Sequence, residues 1–338
     1  MFNKILTTIL ISLTFFSCTQ YIHDFTNLII EDEKYDTEFP HRDCSGDLEQ
    51  IGNCTKMITC VGYYNEYRFG IDDQVRLKDI NIINAVSKTS FNNNSAGTAT
   101  IIYNEGGRVG MLTCAHIVNT PEKIITYFDE PNNDYVAAIA FLDKKMIYCS
   151  DLNTDKIEVL VADDMIDIAF LGARTGEGDR LVPVLTNPIG NSKDLNWGSF
   201  VYLFGFPRGY KMISHGIVSL SKPVTDKYFY TDSPFNRGFS GGLVLGIKDG
   251  VPNFEIVGIA TSAAAEFYQY LTPSWNIDEK KLVSSFDPYE GDMFSKRLEL
   301  IMYGVTQVTA IDAIFKLWKE NDSYLRSKGY FLDTFFMR

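Results

Sequence analysis

Ser240 stands in the stretch NRGFSGG (236–242), between Gly238 and the pair Gly241 and Gly242. Three glycines around one hydroxyl suit neither a strand nor a helix, because glycine loses more backbone freedom on folding than any other residue and packs nothing. They suit a turn in which backbone N–H groups crowd onto a reacting oxygen. A serine that attacks a carbonyl needs such a place, and the amides of Gly238 and Ser240 are the candidate oxyanion donors. A hydroxyl is a weak nucleophile at neutral pH, so it also needs a base and a carboxylate that orients the base. The chain has four histidines, and one of them, His116, closes GMLTCAHIV, an apolar run ending on small residues. Asp167 lies 51 residues further on, at the mouth of DIAFLG, and Ser240 another 73 residues on. His, Asp, Ser is one of the few chain orders in which this triad is built. Asp163 and Asp164 compete for the second role. Asp167 alone directly precedes the apolar run IAFL, where one carboxylate can be buried against an imidazole N–H. His215 has no such partners and reads as a strand-surface imidazole.

The elements that must position these side chains are short and β-branched. From about Asn81, NIINAVSKT, TATIIY and VGMLTCAHIV are separated by turn residues, and NEGGR (104–108) between two apolar runs is hairpin chemistry. KIITYFD, YVAAIAFL, KMIYC, IEVLVADD and DIAFLGA continue the series, at the spacing of an antiparallel barrel over about 80–175. The segment 173–198, with its glycines and prolines, reads as a linker. A second series, FVYLFGFP, MISHGIVSL, KYFYTD, GLVLGIKDG and NFEIVGIATS, gives a second barrel over about 196–308. His116 and Asp167 then come from one unit and Ser240 from the other, which places the site at the seam between them, where ligand sites commonly lie. After Ser262 the pattern lapses, and about 264–302 reads as an aromatic and charged insertion, a lid or a surface excursion. YGVTQV reads as one more strand. Thr309 is a candidate cap for a helix over about 310–321, whose apolar face carries Ile311, Ile314, Phe315 and Trp318.

These motifs carry a family resemblance. SAGTATIIYNEGGRVGMLTCAHIV (95–118), DIAFLG (167–172), FVYLFGFPRGY (200–210), HGIVSL (215–220), FYTDSPFNRGFSGGLV (229–244) and FEIVGIATSA (254–263) occur in the order found in the trypsin-like serine peptidases, and the chain is most similar to their HtrA (Deg) branch. The resemblance covers roughly the middle half of the protein. It implies an all-β fold of two antiparallel six-stranded β-barrels with a C-terminal α-helix, in a protease domain over 76–328. It also implies His116 as general base, Asp167 as its orienter, Ser240 as nucleophile, and hydrolysis of polypeptide without metal or organic cofactor. By the same resemblance Pro234, Phe235, Asn236 and Arg237 line one side of the primary pocket and Ile259, Ala260, Thr261 and Ser262 another. No carboxylate occupies either stretch, which argues against a preference for Lys or Arg. The chain departs from the family at Phe239, where Asn or Asp is usual. The departure favours a rival reading, a pseudo-protease that binds peptides or proteins, and it removes the acid that would pair with a new N-terminus on activation. The residues after Trp318 are too few for the peptide-binding PDZ domain of HtrA relatives.

With 338 residues and 45% apolar content the chain can bury a sizeable core. A formal charge of −12 opposes nucleic acid and leaves no polybasic patch for anionic lipid. Residues 1–17, with Lys4 followed by ILTTILISLTFF, read as a secretory signal, too short for a comfortable membrane span. Cys18 follows at once, in the place of the acylated cysteine of bacterial lipoproteins, so membrane contact is expected only through such an anchor, in the periplasm or at the cell surface. Otherwise the protein is plainly secreted. Residues 18–75 read as a solvated tether, EDEKYDTEFPHRD, followed by a cysteine-containing region. Export permits disulfides. Cys44, Cys54, Cys60, Cys114 and Cys149 are five, so at least one stays unpaired within the chain. Pairing within the first three, or buried thiols, is expected there rather than zinc, since no CxxC is present and His41 is the one nearby imidazole. Cys114 is expected to be a small packing residue rather than a nucleophile.

Overall fold

The computed structural model describes residues 32–40, 42–128, 134–154, 156–175, 182–220, 226–273 and 293–337. The expected signal, Cys18 and His41 lie outside them. The fold is all-β, with two antiparallel units and a C-terminal helix. The second unit is a closed six-stranded barrel in the order β10-β13-β12-β11-β8-β9, built from β8 (Phe200–Gly205), β9 (Met212–Leu220), β10 (Tyr228–Thr231), β11 (Gly242–Ile247), β12 (Phe254–Pro273) and β13 (Met293–Ala310).

The first unit differs from a six-stranded barrel. It is a seven-stranded sheet in the order β4-β5-β1-β2-β3-β7-β6, comprising β1 (Thr55–Arg68), β2 (Ser87–Glu105), β3 (Arg108–Thr113), β4 (Lys123–Tyr127), β5 (Val136–Cys149), β6 (Ile157–Asp163) and β7 (Ile168–Arg174). Its edge strands β4 and β6 pair with no further strand among the described residues. The seventh strand is β1, which falls where a cysteine-tied region was expected before the domain. It lies mid-sheet, pairing β2 from Thr55↔Thr100 to Arg68↔Ser87 and β5 from Ile58↔Cys149 to Arg68↔Ala138. Lys56, Asn65, Glu66 and Arg68 dilute its apolar pattern, so its period is weak in the sequence. The hairpin at 104–108 forms as expected. Glu105 pairs Arg108, and Gly106 and Gly107 both take positive φ (60° and 71°), the geometry of a two-residue turn that matches strand twist. By contrast, Ile82–Asn84 is a 3₁₀ turn, and YVAAIAFL and KMIYC fuse into one strand, β5.

The N-terminal stretch read as most solvated straps the second barrel. Tyr35 is buried, donates to Glu255 Oε2 at 2.7 Å and accepts from the Asn191 amide at 3.0 Å. The Asp36 amide reaches Ile247 O at 2.8 Å, and the Phe200 amide donates to Asp36 O at 2.7 Å. One buried tyrosine among eight charges is invisible to averaged hydropathy. The linker is pinned to both units, by Leu185 N to Ile101 O and by Gly190 N to Ile256 O, each 2.9 Å.

No cysteine is disulfide-bonded among the described residues. The buried-thiol alternative therefore holds for Cys44, Cys54 and Cys60. Cys54 and Cys60 donate to or share a hydrogen with Gln50 O and Thr120 Oγ1, and burial pushes the Cys54 thiol up to about 11 and that of Cys149 to about 12. Helix α1 (Ser45–Asn53) packs Ile51 into the same core.

After the barrel, helix α3 (Ile311–Ser327) runs longer than the expected 310–321 and buries Ile311, Ile314, Leu317, Trp318 and Leu325. Its N-cap is Ala310, not Thr309. Thr309 donates instead to Ile166 O in the first unit, at 2.8 Å. The last segment turns back through helix α4 (Asp333–Phe336): Tyr330 meets Tyr103, its hydroxyl reaches Ala173 O at 3.3 Å, and Phe336 stacks on Trp318 at 4.8 Å between centroids.

Beyond Ser262 the strands continue rather than lapse. β12 and β13 run on as a two-stranded ribbon paired from Ala265↔Ile301 to Pro273↔Met293, after register breaks at Ala260/Ser262 and Ala263/Ala265. Residues 274–292 of the expected insertion lie outside the described residues.

Candidate active site

Strand β3 is buried along Val109–Thr113 and feeds a single turn of helix, α2 (Ala115–Val118), with Cys114 at its N-cap. The small pair Cys114 and Ala115 is fully buried, and His116 is the first side chain of the turn to face out, 47% exposed. Asp167 sits just before β7 with φ +55°, a left-handed conformation uncommon for a residue other than glycine. That conformation turns its carboxylate back onto α2. Oδ1 accepts from the His116 amide at 2.8 Å, and Oδ2 meets His116 Nδ1 at 2.7 Å. One carboxylate thus fixes both the backbone and the ring of the histidine. With the Nδ1 proton held toward Asp167, the lone pair lies on Nε2. The competing acids are used otherwise. Asp163 Oδ1 accepts from the amides of Met165 and Ile166, closing the turn, and Asp164 accepts from Asn119 Nδ2.

The Asp167 turn is also held from across the seam. Tyr228 of β10 donates to Met165 O and Thr309 of β13 to Ile166 O. Both acceptors lie within two residues of the carboxylate.

Ser240 sits in a tight turn, with Phe239 N bonded to Asn236 O at 2.9 Å and Gly242 N to Phe239 O at 2.7 Å. Gly238 and Gly241 have φ of +107° and +80°, and a Cβ on either would overlap a carbonyl oxygen, that of Phe206 or of Thr98. The glycines are therefore fixed twice, by dihedral and by close approach. Among the described residues the amides of Gly238 and Ser240 donate to no acceptor. Phe239 does not disturb the turn. It is buried in the second-barrel core beside Phe235, 6.2 Å between ring centroids, and anchors the turn by packing.

One residue the sequence reading missed holds this loop. Thr98, fully buried in β2, donates from its amide to Ser240 O at 2.7 Å and from Oγ1 to Gly238 O at 2.7 Å. The same hydroxyl accepts from the Phe206 amide at 2.9 Å, and Thr98 O accepts from Thr113 Oγ1 at 2.6 Å. The signal was the first of the two threonines in GTATII, a hydroxyl in a buried run. Gly97 beside it carries no side chain because a Cβ there would lie 2.6 Å from Ser240 O.

Cys114 donates to Ala260 O at 3.5 Å across the same seam, and burial drives its thiol well above the ordinary range, so it stays protonated and inert. Cys114, His116 and Asp167 offer three ligand atoms within 4.8 Å, but Nδ1 and both Asp167 oxygens are already engaged with each other and with the His116 amide.

Ser240 Oγ donates to Thr261 O at 3.4 Å, a long bond. Of the expected pocket residues, Phe235, Ile259 and Ala260 pack in cores and Thr261 is buried, while Pro234, Asn236, Arg237 and Ser262 face solvent. Two β-units thus bring an oriented imidazole and a glycine-bounded serine to one seam. Residues 97–259 match the trypsin-like peptidase domain family. They form a trypsin-like peptidase domain. The chain is also 31% identical over 137 residues to the mitochondrial serine protease HTRA2 of Bos taurus, which covers 38% of this chain and 28% of that protein. It thus spans little more than a quarter of that relative's length. The trypsin-like peptidase domain as matched begins at Gly97 and ends at Ile259. β1, the ribbon and α3 therefore flank the matched core.

Proposed function

We propose that the chain is a serine endopeptidase in which Ser240 is the nucleophile, His116 the general base, Asp167 its orienter, and the amides of Gly238 and Ser240 the oxyanion hole. The observation that carries this reading is the pair of hydrogen bonds that His116 donates to the Asp167 carboxylate, which leaves Nε2 as the free base. Ser240 Oγ swings from its long bond to Thr261 O toward Nε2 and gives up its proton as it attacks the scissile carbonyl. The C–O bond forms, and the carbonyl electron pair moves onto oxygen, where the two unpaired amides receive it. Nε2 then delivers the proton to the leaving amine as the C–N bond breaks. A water, deprotonated by Nε2, hydrolyses the resulting ester and restores Ser240. None of these steps calls on a metal or organic cofactor.

The test is labelling of the purified full chain with a fluorophosphonate. Covalent adduct on Ser240 is expected in the native protein and its loss in Ser240→Ala and His116→Ala. An unlabelled native chain that still binds peptide would select the second reading, a peptide-binding pseudo-protease, which the engagement of Ser240 Oγ with Thr261 O favours.

Export, with acylation at Cys18 as the anchor, belongs to the same proposal. It rests on the apolar run and the cysteine that follows it in residues 1–18. No helix among the described residues is long and apolar enough to cross a membrane. Mass spectrometry of the mature N-terminus checks this: a diacylglyceryl cysteine is expected, and an unmodified terminus would exclude the anchor.

A further inference from the structure

The ribbon of β12 and β13 carries seven of the 31 large apolar side chains that stand exposed among the described residues. They occupy both of its faces. Directly opposed residues share a face, so Phe267, Leu271 and Met293 lie on one and Tyr268, Tyr270 and Leu298 on the other. A two-stranded ribbon alone in water is at best marginally stable, and it becomes stable when a third strand or a packed layer is added. Its charge is balanced, with Glu266 and Glu299 against Lys296 and Arg297, in a chain of net charge −12. Arg297 is moreover drawn over the Phe267 ring at 3.8 Å rather than presented outward. The ribbon therefore offers an uncharged partner little repulsion.

The free edges say which partner. β11 covers β12 only as far as the pair Gly242↔Ala260. From Thr261 to Leu271 the outer edge of β12 pairs with no strand among the described residues. That edge starts at the carbonyl that Ser240 Oγ touches. The outer edge of β13 leads elsewhere, into its pairing with β10 at Thr306–Thr309. Only one of the two edges is continuous with the serine.

We propose that the ribbon edge Ala265–Leu271 is an extended substrate-binding strand, which takes an unfolded, apolar or aromatic polypeptide by β-addition and delivers its downstream peptide bond to Ser240. The direction follows from the chain. A strand added antiparallel to β12 runs from Leu271 toward Thr261, so its C-terminal end lies at Ser240 and its N-terminal residues lie out along the ribbon. At about 3.3 Å per residue, the seven positions of Ala265–Leu271 extend roughly 23 Å beyond the bulged junction. Selectivity for length on the N-terminal side of the cut is the result: peptides that end near Thr261 use the serine alone, and longer ones use the ribbon as well.

This inference rests on the hydrolase reading for turnover but not for binding, so the two are separable. Two substrates with one cleavage sequence are compared, a peptide with four residues before the cut and one with fourteen, the added ten being extended and apolar. The native full chain is expected to show kcat/KM higher by about tenfold or more on the longer peptide. Two ribbon variants, one with Phe267, Tyr268, Tyr270 and Leu271 all changed to serine and one with 265–301 replaced by a short glycine turn, are expected to lose that preference. Their short-peptide turnover and fluorophosphonate labelling stay native, which shows that the fold is intact. Binding of the long peptide to Ser240→Ala, read by fluorescence anisotropy, gives the same comparison without chemistry. If the native chain is not labelled but the ribbon still governs this binding, the hydrolase reading fails and the ribbon proposal stands. Equal long-to-short ratios, or equal binding with and without the ribbon, overturn it. So does a ribbon variant that changes only self-association or binding to phospholipid vesicles.

Discussion

In the Asp167→Asn variant, kcat is expected to fall by about ten-thousandfold with little change in KM. The substitution keeps size and shape, so Oδ1 still accepts from the His116 amide. What changes is the atom facing Nδ1. In place of Oδ2, an amide NH₂ now donates to the ring at 2.7 Å, so Nδ1 must become the acceptor and the proton moves to Nε2. An imidazole protonated at Nε2 cannot take the proton of Ser240. The backbone hydrogen bond keeps α2 in place, so the loss reads tautomer rather than unfolding. Steady-state kinetics on one peptide substrate, with a thermal melt as control, measures it. A variant within tenfold of native would mean that Asp167 does not orient the base. Asp163→Asn and Asp164→Asn, whose carboxylates serve the turn and Asn119, serve as the comparison.

The second large effect is expected at Thr98, a positioning residue that never meets substrate. Thr98→Val keeps the shape of the side chain but removes the hydroxyl that donates to Gly238 O and accepts from Phe206 N. Both partners are then left unpaired at a buried position, which costs about 1–3 kcal/mol of stability per group. The loop carrying the Gly238 and Ser240 amides is released at the same time. Since loss of one oxyanion donor costs roughly a hundredfold to a thousandfold, kcat is expected to drop by about a hundredfold while fluorophosphonate labelling slows in step. Thr98→Ser restores the hydroxyl and is expected to restore most of the rate. A purely structural role would lower the melting temperature in both variants and leave kcat untouched in each.

The parts of the fold that repeat a local rule were legible in the sequence. The glycine pair at 106–107 specifies a hairpin by dihedral alone, and the buried runs of β3 and β7 read as strands because nothing polar interrupts them. The proposed site residues His116, Asp167 and Ser240 stand out in the sequence by order and by their small or apolar flanks. What escaped depends on contacts made far along the chain. β1 alternates only loosely because it is flanked on both sides mid-sheet yet keeps one end in solvent. Tyr35 is a single anchor among charges. Thr309 looks like a helix cap because helix caps and cross-seam donors use the same hydroxyl. The ribbon gave no strand signal since both faces are exposed and apolar residues occur on each, which erases the alternation that marks a half-buried strand.

The way the chain closes on itself sets an order on its maturation. The interior of the first sheet is completed by Tyr330, Leu332, Phe335 and Phe336, with Phe170 against Phe336 at 6.1 Å and Tyr103 against Tyr330 at 5.9 Å. A polypeptide made from its N-terminus has produced every residue of β1 through β7 long before those aromatics appear. At translation rates of about 5–20 residues per second the gap is on the order of ten seconds. Through that interval the face beneath β2 and β7 stays open, and the support for the Asp167 turn from Tyr228 and Thr309 is also still to come. The proposed hydrolytic centre is thus completed only after Phe336 has been made, so its parts stand apart while the residues between are still being added.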